Sequence, residues 1–253
     1  MLYVYGVTRA GRESPDVKGL GSPPADVALL ESGLIAAVVS EIPDDLAVEE
    51  EDARAHLQVL IDLLDDGPVL PLRMGTVSPD ADAVRTELLD ASRSTFENLL
   101  DALDGTVELH VDADDDESAA VAEIARAAQL RPSSPGDFQS SLDLGHEIAE
   151  LLVERRRQLA EEIVGQLRPF ALRDVPRSII RSAEDPVLRW AFLVRRDELE
   201  QFDEAVISVR ETHPTCALRY VGPLPPSHFV DWGTEPETPD DSDSFAGNAG
   251  WGW

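Results

Sequence analysis

Hydrophobic period limits what this chain can fold into more than any other feature, because it switches repeatedly between the spacing of a strand and that of a helix. Residues 106–113 alternate cleanly, with Val107, Leu109 and Val111 on one side and Glu108, His110 and Asp112 on the other. Such a segment is a half-buried strand with its second face in solvent. Helical spacing follows at 118–130 and again at 138–167, where Ile148, Leu151, Leu152, Leu159, Ile163 and Leu167 form an apolar stripe. A strand is expected at 170–175 and another where Leu188, Trp190, Phe192 and Val194 alternate with Arg189 and Arg195. A helix carrying Leu199, Phe202, Val206 and Val209 then leads to a closing strand at 218–222. Strand, helix, two strands, helix and strand is the split-βαβ, or ferredoxin-like, order, here with an inserted helix.

The part before residue 105 has a different rhythm. A strand at 2–7 and a Gly/Pro/Ser loop precede a hairpin, 27–30 with 34–42, joined by Glu31-Ser32-Gly33. Helical spacing runs over 48–64 through Ala53, Leu57, Leu60, Ile61 and Leu64, and Asp65-Asp66-Gly67-Pro68 stops it. A short strand at 69–74 is followed by a helix that Ser78-Pro79 opens, with Val84, Leu88, Phe96, Leu99 and Leu103 on one face. The expected organisation is α+β in two domains. An N-terminal α+β domain covers 1–104, a ferredoxin-like domain with inserted helices covers 105–232, and a flexible acidic tail covers 233–253.

Charge narrows the partners. Acids outnumber bases 50 to 21, for a net charge of −29, while 43% of residues are apolar, enough for packed cores. Nucleic acid and anionic membrane surfaces both require a basic footprint, so neither is an expected partner. Residues 1–150 hold 32 acids and 9 bases, 151–232 hold 13 acids and 12 arginines, and 233–253 hold 5 acids and no base. That unevenness suggests surfaces meeting different surroundings, over a background that genomic base composition or a high-salt cytoplasm would produce. In the tail, Trp251 and Trp253 either fold back onto the chain or anchor in a partner's pocket.

Little catalytic chemistry is written in the motifs. The single cysteine, Cys216, excludes an intrachain disulfide, and the apolar run at residues 1–7 is too short for a signal-peptide core or a membrane span. A soluble cytoplasmic protein is expected. Asp112, Asp114, Asp116 and Glu123 fall on positions 1, 3, 5 and 12 of a calcium-loop register, but Glu117 stands where the loop needs glycine. These acids are better read as helix caps and dipole partners. The five histidines, His56 among them, lack metal-ligand spacing, and there is no phosphate-binding glycine loop or nucleophile elbow. No catalytic residue, metal ligand or cofactor is assigned. Arg155-Arg156-Arg157 reads as a solvated helix face with i,i+4 pairs.

Two segments exceed ordinary strand and turn needs. In Leu70-Pro71-Leu72-Arg73-Met74-Gly75-Thr76-Val77 a proline interrupts a strand and Arg73 lies among apolar neighbours, so it should pair with a carboxylate or with backbone carbonyls. In Gly222-Pro223-Leu224-Pro225-Pro226-Ser227-His228-Phe229 a strand enters a rigid proline-rich stretch. It reads as an edge strand locked across a domain surface, or as a peptide-binding surface.

These blocks, with Tyr3-Val4-Tyr5-Gly6-Val7 and Gly105-Thr106-Val107-Glu108-Leu109, resemble in order the gas vesicle accessory protein family GvpF/GvpL over residues 1–232. The resemblance marks Tyr5, Gly6, Pro71, Arg73, Gly75, Gly222, Pro223, Pro225, Pro226 and Phe229 as family-motif or interaction residues. It implies a non-enzymatic minor vesicle component needed for assembly. Its implied partners are the main shell protein, whose aggregation it limits during nucleation, and other gas vesicle accessory proteins. The alternative from another class is a small-molecule-sensing or enzymatic ferredoxin-like module.

Overall fold

Leu2–Arg9 (β1) carries no charge until its last residue, and in the computed structural model it is buried along both faces. It sits at the centre of a sheet ordered β2-β3-β1-β4, with β2 at Val27–Ser32, β3 at Ile35–Glu41 and β4 at Val69–Pro71. The two-residue strand Val77–Ser78 (β5) also pairs with β1. All these pairings are antiparallel, and a bulge between Val4 and Gly6 shifts the β1–β3 register. The structure describes residues 1–21, 23–43, 52–128, 138–182 and 185–231.

Helix α1 (Asp52–Leu64) lays His56, Val59, Leu60, Leu63 and Leu64 into a core with Tyr3, Tyr5, Val38 and Val69. Only two of the five positions expected from apolar spacing, Leu60 and Leu64, belong to that face, and Leu57 is exposed. A polar residue, His56, completes the true stripe, so a reading by apolar type rotates the helix. The expected strand at 69–74 ends at Pro71, because Pro71 closes the ladder on an edge strand where its missing N–H costs nothing. The single helix expected after Ser78-Pro79 is interrupted. Asp80 caps α2 (Ala81–Ala83), which passes into a π-helical stretch, Val84–Asp90, before α3 (Arg93–Ala102) begins anew.

The second sheet is ordered β7-β8-β6-β9, with β6 at Thr106–Asp115, β7 at Arg173–Pro176, β8 at Leu188–Arg195 and β9 at Cys216–Leu224. Helices α4 (Glu117–Ala127) and α5 (Phe138–Leu167) connect β6 to β7, and α6 (Leu199–Thr212) connects β8 to β9. The core joins Val107, Leu109 and Val111 of β6 to Ile163 and Leu167 of α5, Phe192 of β8 and Phe202 and Val206 of α6. Two of its rings, Phe192 and Phe202, stack at a centroid distance of 5.3 Å. The described residues form two compact units: Met1–Thr106 together with Leu224–Asp231, and Val107–Pro223. The polypeptide therefore leaves the first unit after Thr106 and rejoins it at Leu224, part-way through the proline-rich block. Trp251, Trp253 and the rest of 233–253 lie outside the described residues.

Candidate functional site

Two of the family-like blocks meet inside the first unit. Tyr3 Oη lies 2.8 Å from His56 Nδ1 and accepts the Gly75 N–H at 3.0 Å. The Leu72 N–H donates to the Tyr5 carbonyl and the Val4 N–H to the Thr76 carbonyl, both at 2.9 Å. Tyr5 Oη lies 2.8 Å from Ser40 Oγ and accepts the Leu20 N–H at 2.8 Å. The rings of Tyr3 and Tyr5 are 4.8 Å apart, and His56 packs at 5.7 and 5.5 Å from them. Burial pushes the Tyr3 hydroxyl up to about 12 and the His56 imidazole down to about 4, the latter against a hydrogen bond with the Leu72 backbone. His56 is thus a buried ring held neutral between one hydroxyl and one backbone group.

Gly6 and Pro71 are partners in the β1–β4 register. A Cβ on Gly6 would sit 2.5 Å from the Leu70 carbonyl oxygen, so only glycine permits this approach. Gly75 adopts φ +89°, a conformation that L side chains rarely take. Arg73 differs from its neighbours. Its side chain is exposed and makes no ion pair among the described residues, so the expected carboxylate or carbonyl partner is absent there. The turn needs the Arg73 backbone instead: its carbonyl accepts from Thr76 N at 3.1 Å and Thr76 Oγ1 at 2.7 Å.

The other two blocks also adjoin. A Cβ on Gly222 would lie 2.5 Å from Leu109 Cδ2 and 3.1 Å from the Glu108 carbonyl oxygen, so β9 runs flush against β6. The Gly222–Pro223 peptide is cis. Pro223 is exposed, whereas Pro225, Pro226 and Phe229 are buried, and the Phe229 N–H closes a turn onto the Pro226 carbonyl at 3.1 Å. The polar side of β6 is not the solvent face its alternation predicts. Glu108 is fully buried, with His110 Nε2 at 2.5 Å from its Oε1.

Farther along β6 the acids meet arginines. Arg177 reaches Asp112 at 2.9 Å, Arg189 grips Asp114 at 3.1 and 3.2 Å, and Arg219 joins it at 3.0 Å. Asp115 takes Arg156 through Nε and Nη2 at 3.0 and 2.8 Å and Arg155 at 3.2 Å. Of the calcium-register acids only Asp116 is a cap, accepting the Ala119 N–H at 3.1 Å. The Arg155-Arg156-Arg157 triplet is accordingly a solvated face only at Arg157, because Asp115 holds Arg155 and Arg156. Arg156 is 4% exposed and also donates to the Asp185 carbonyl at 2.9 Å, because it shares a helix face with Leu152, Ala160 and Ile163.

Between the second half of α5 and the β7–β8 connection lies a groove of about 520 Å³. Ala160, Val164, Ile180, Val187 and Leu188 floor it, and Trp190 closes one end, its Nε1 donating to Asp174 at 2.9 Å. Arg157, Arg168 and Arg189 stand on the rim with one acid, Glu161. Arg168 holds Asp174 through two nitrogens, which keeps that carboxyl below the usual carboxylate range. Among the described residues no helix is long and apolar enough to cross a membrane.

Two antiparallel sheets with helices packed on them define an α+β protein, and several of its family-like motif residues lie at strand pairings and turns. The model of the family described as gas vesicle synthesis protein GvpL/GvpF matches residues 1–231. Gas vesicle protein F of Streptomyces sp. (strain CB03234) is 35% identical over 90% of this chain and 99% of its own length, and gas vesicle protein L of the same strain is 29% identical over 91% and 92%. The crystal structure of gas vesicle protein GvpF from Anabaena sp. PCC7120 superposes with a TM-score of 0.77 at 21% identity, covering 91% of this chain and 98% of that one. The chain belongs to the GvpL/GvpF family, and its role is in the gas vesicle.

Proposed function

We propose that this protein is a minor, non-enzymatic gas vesicle component that acts in the cytoplasm during assembly. It binds the main shell protein and other accessory proteins and limits shell-protein aggregation at nucleation. The observation that carries this reading is family likeness along nearly the whole chain to proteins named for gas vesicles. The physics is consistent with it. A subunit that will line a gas space exposes apolar surface before it assembles, and such surface aggregates in water unless it is held. A strongly anionic body carrying a limited apolar groove can hold such a surface and stay dissolved.

In this reading the second unit is a ferredoxin-like module used as a binding scaffold. Tyr5, Gly6, Pro71, Gly75, Gly222, Pro225, Pro226 and Phe229 maintain shape, while the exposed Arg73 and Pro223 are contact residues, and Trp251 and Trp253 add tail anchors. Affinity capture of co-expressed shell protein tests the reading. Retention of shell protein, together with loss of vesicles on gene deletion, is expected. No retention and normal vesicles in the deletion strain would overturn it, and unchanged capture after removing 233–253 would remove the tail anchors.

A further inference from the structure

Of the exposed apolar side chains in the second unit, Ile179 is 60% exposed and lies in the groove lining, beside the buried Ile180. Arg157 stands next to it, exposed; one of its nitrogens donates to the Ile180 carbonyl at 3.1 Å, and it makes no ion pair among the described residues. Of the three arginines lining this groove, Arg168 is neutralised by Asp174 and Arg189 by Asp112 and Asp114, which leaves Arg157 as the lining cation without an ion pair among the described residues. An unpaired cation therefore stands where apolar surface is open, in a chain where acids outnumber bases 50 to 21. Resting on the reading that the chain holds shell protein, we infer that the α5/β7–β8 groove is the surface that takes it. The occupant is an amphipathic segment of the shell subunit, with one or two large apolar side chains on the groove floor and a bordering carboxylate on Arg157.

The volume suits that occupant, since about 520 Å³ accommodates a pair of large side chains but not a folded domain. Burial of the apolar side chains supplies affinity, and Arg157 supplies selection, since a carboxylate bordering the apolar face can pair with it whereas a basic side chain there would meet like charge. The rest of the acidic chain repels an acidic partner at long range, which confines productive contact to the groove.

The test uses the full chain and two exposed positions that fold can spare, Ile179→Glu and Arg157→Glu, with Ile207→Glu on α6 as an equally exposed control. Capture of co-expressed shell protein should fall at least tenfold in each groove variant and stay at the wild-type level in the control. Two synthetic helical peptides with identical leucine faces, one bordered by glutamates and one by lysines, are titrated while Trp190 fluorescence is followed, with Trp190→Phe as the blank. The glutamate peptide should bind at least tenfold more tightly, and Arg157→Glu should reverse the order. If wild type captures shell protein and the groove variants capture as much, the groove assignment is wrong while the shell-binding reading stands. If wild type captures none, that reading fails, and the groove assignment fails with it. Equal binding of the two peptides, or self-association of the chain through the same residues, would overturn the occupant's chemistry.

Discussion

The two units solve the burial of polar groups in opposite ways. In the first, Tyr3, Tyr5, His56 and Ser40 are neutral and bond to one another and to backbone, and burial holds the histidine uncharged. In the second, charge itself is buried: Asp115 and Arg156 are each 5% exposed at the side chain and 2.8 Å apart. Neutral networks lose only hydrogen bonds when damaged, whereas a broken buried ion pair leaves an uncompensated charge. The second unit should therefore be the more sensitive to single substitutions and the first the more sensitive to mild acid.

The largest effect is expected at the buried pair. Asp115→Ala removes the carboxylate that takes two Arg156 nitrogens, leaves Glu117 only at 3.9 Å, and should cost about 3–5 kcal/mol, read as a lowered denaturant midpoint. Asp115→Leu combined with Arg156→Met should recover most of that loss, since both charges leave together. If the double variant is as unstable as the sum of the singles, the pair is not the coupled unit described.

Acid sharpens the contrast. His56 ionises at about 4 in the fold and near 6.5 unfolded, so between those values the unfolded chain binds more protons. Stability contributed by the neutral ring is full above pH 6.5 and falls as pH drops toward 4, by on the order of 3 kcal/mol. Comparing wild type with His56→Leu over pH 4–7 by urea unfolding isolates this from the many carboxylates. The variant should be less stable at pH 7 but lose less on acidification, and parallel curves would show that His56 is not the sensor. Next in size is Gly6→Ala, which sets a methyl 2.5 Å from a backbone oxygen and should cost about 1–3 kcal/mol by forcing β4 from β1. A shift in thermal midpoint below the reproducibility of the scan would mean that the sheet yields more easily than its contacts imply.

Elements were more legible in the sequence than their interiors. Helix α5 spans Phe138–Leu167, the range its helical spacing predicts, and β6 and β8 lie where the alternations place strands. The groups that residue type misplaces share one cause: a polar residue at an apolar position of a helix or strand. His56 sits one turn from Val59 and Leu60, Arg156 sits between Leu152 and Ala160, and Glu108 sits on the strand flank that alternation assigns to solvent. Residue type says solvent while position says core, and the position is right because a partner far along the chain satisfies the group. Arg219 lies 105 residues from Asp114, a pairing no local period can reveal. The same pairing dissolves the apparent segregation of charge. The anionic stretch of β6 and the arginines of 151–232 lie within one unit and neutralise each other, so uneven charge along the chain need not be uneven charge in space.

The smallest expected effect bears most on function. The block at 69–77 places Tyr5, Gly6, Pro71 and Gly75 in packing roles, yet its one arginine points to solvent with no ion pair among the described residues. Arg73→Ala should therefore change unfolding stability by no more than about 0.5 kcal/mol, the range for a surface site without partners. If Arg73 serves assembly, vesicle yield in a complemented deletion strain should fall although the protein accumulates and melts as wild type does. A matched fall in stability and yield would put Arg73 with the packing residues. Unchanged yield would leave the block structural throughout, and the groove of the second unit would then carry partner contact without it.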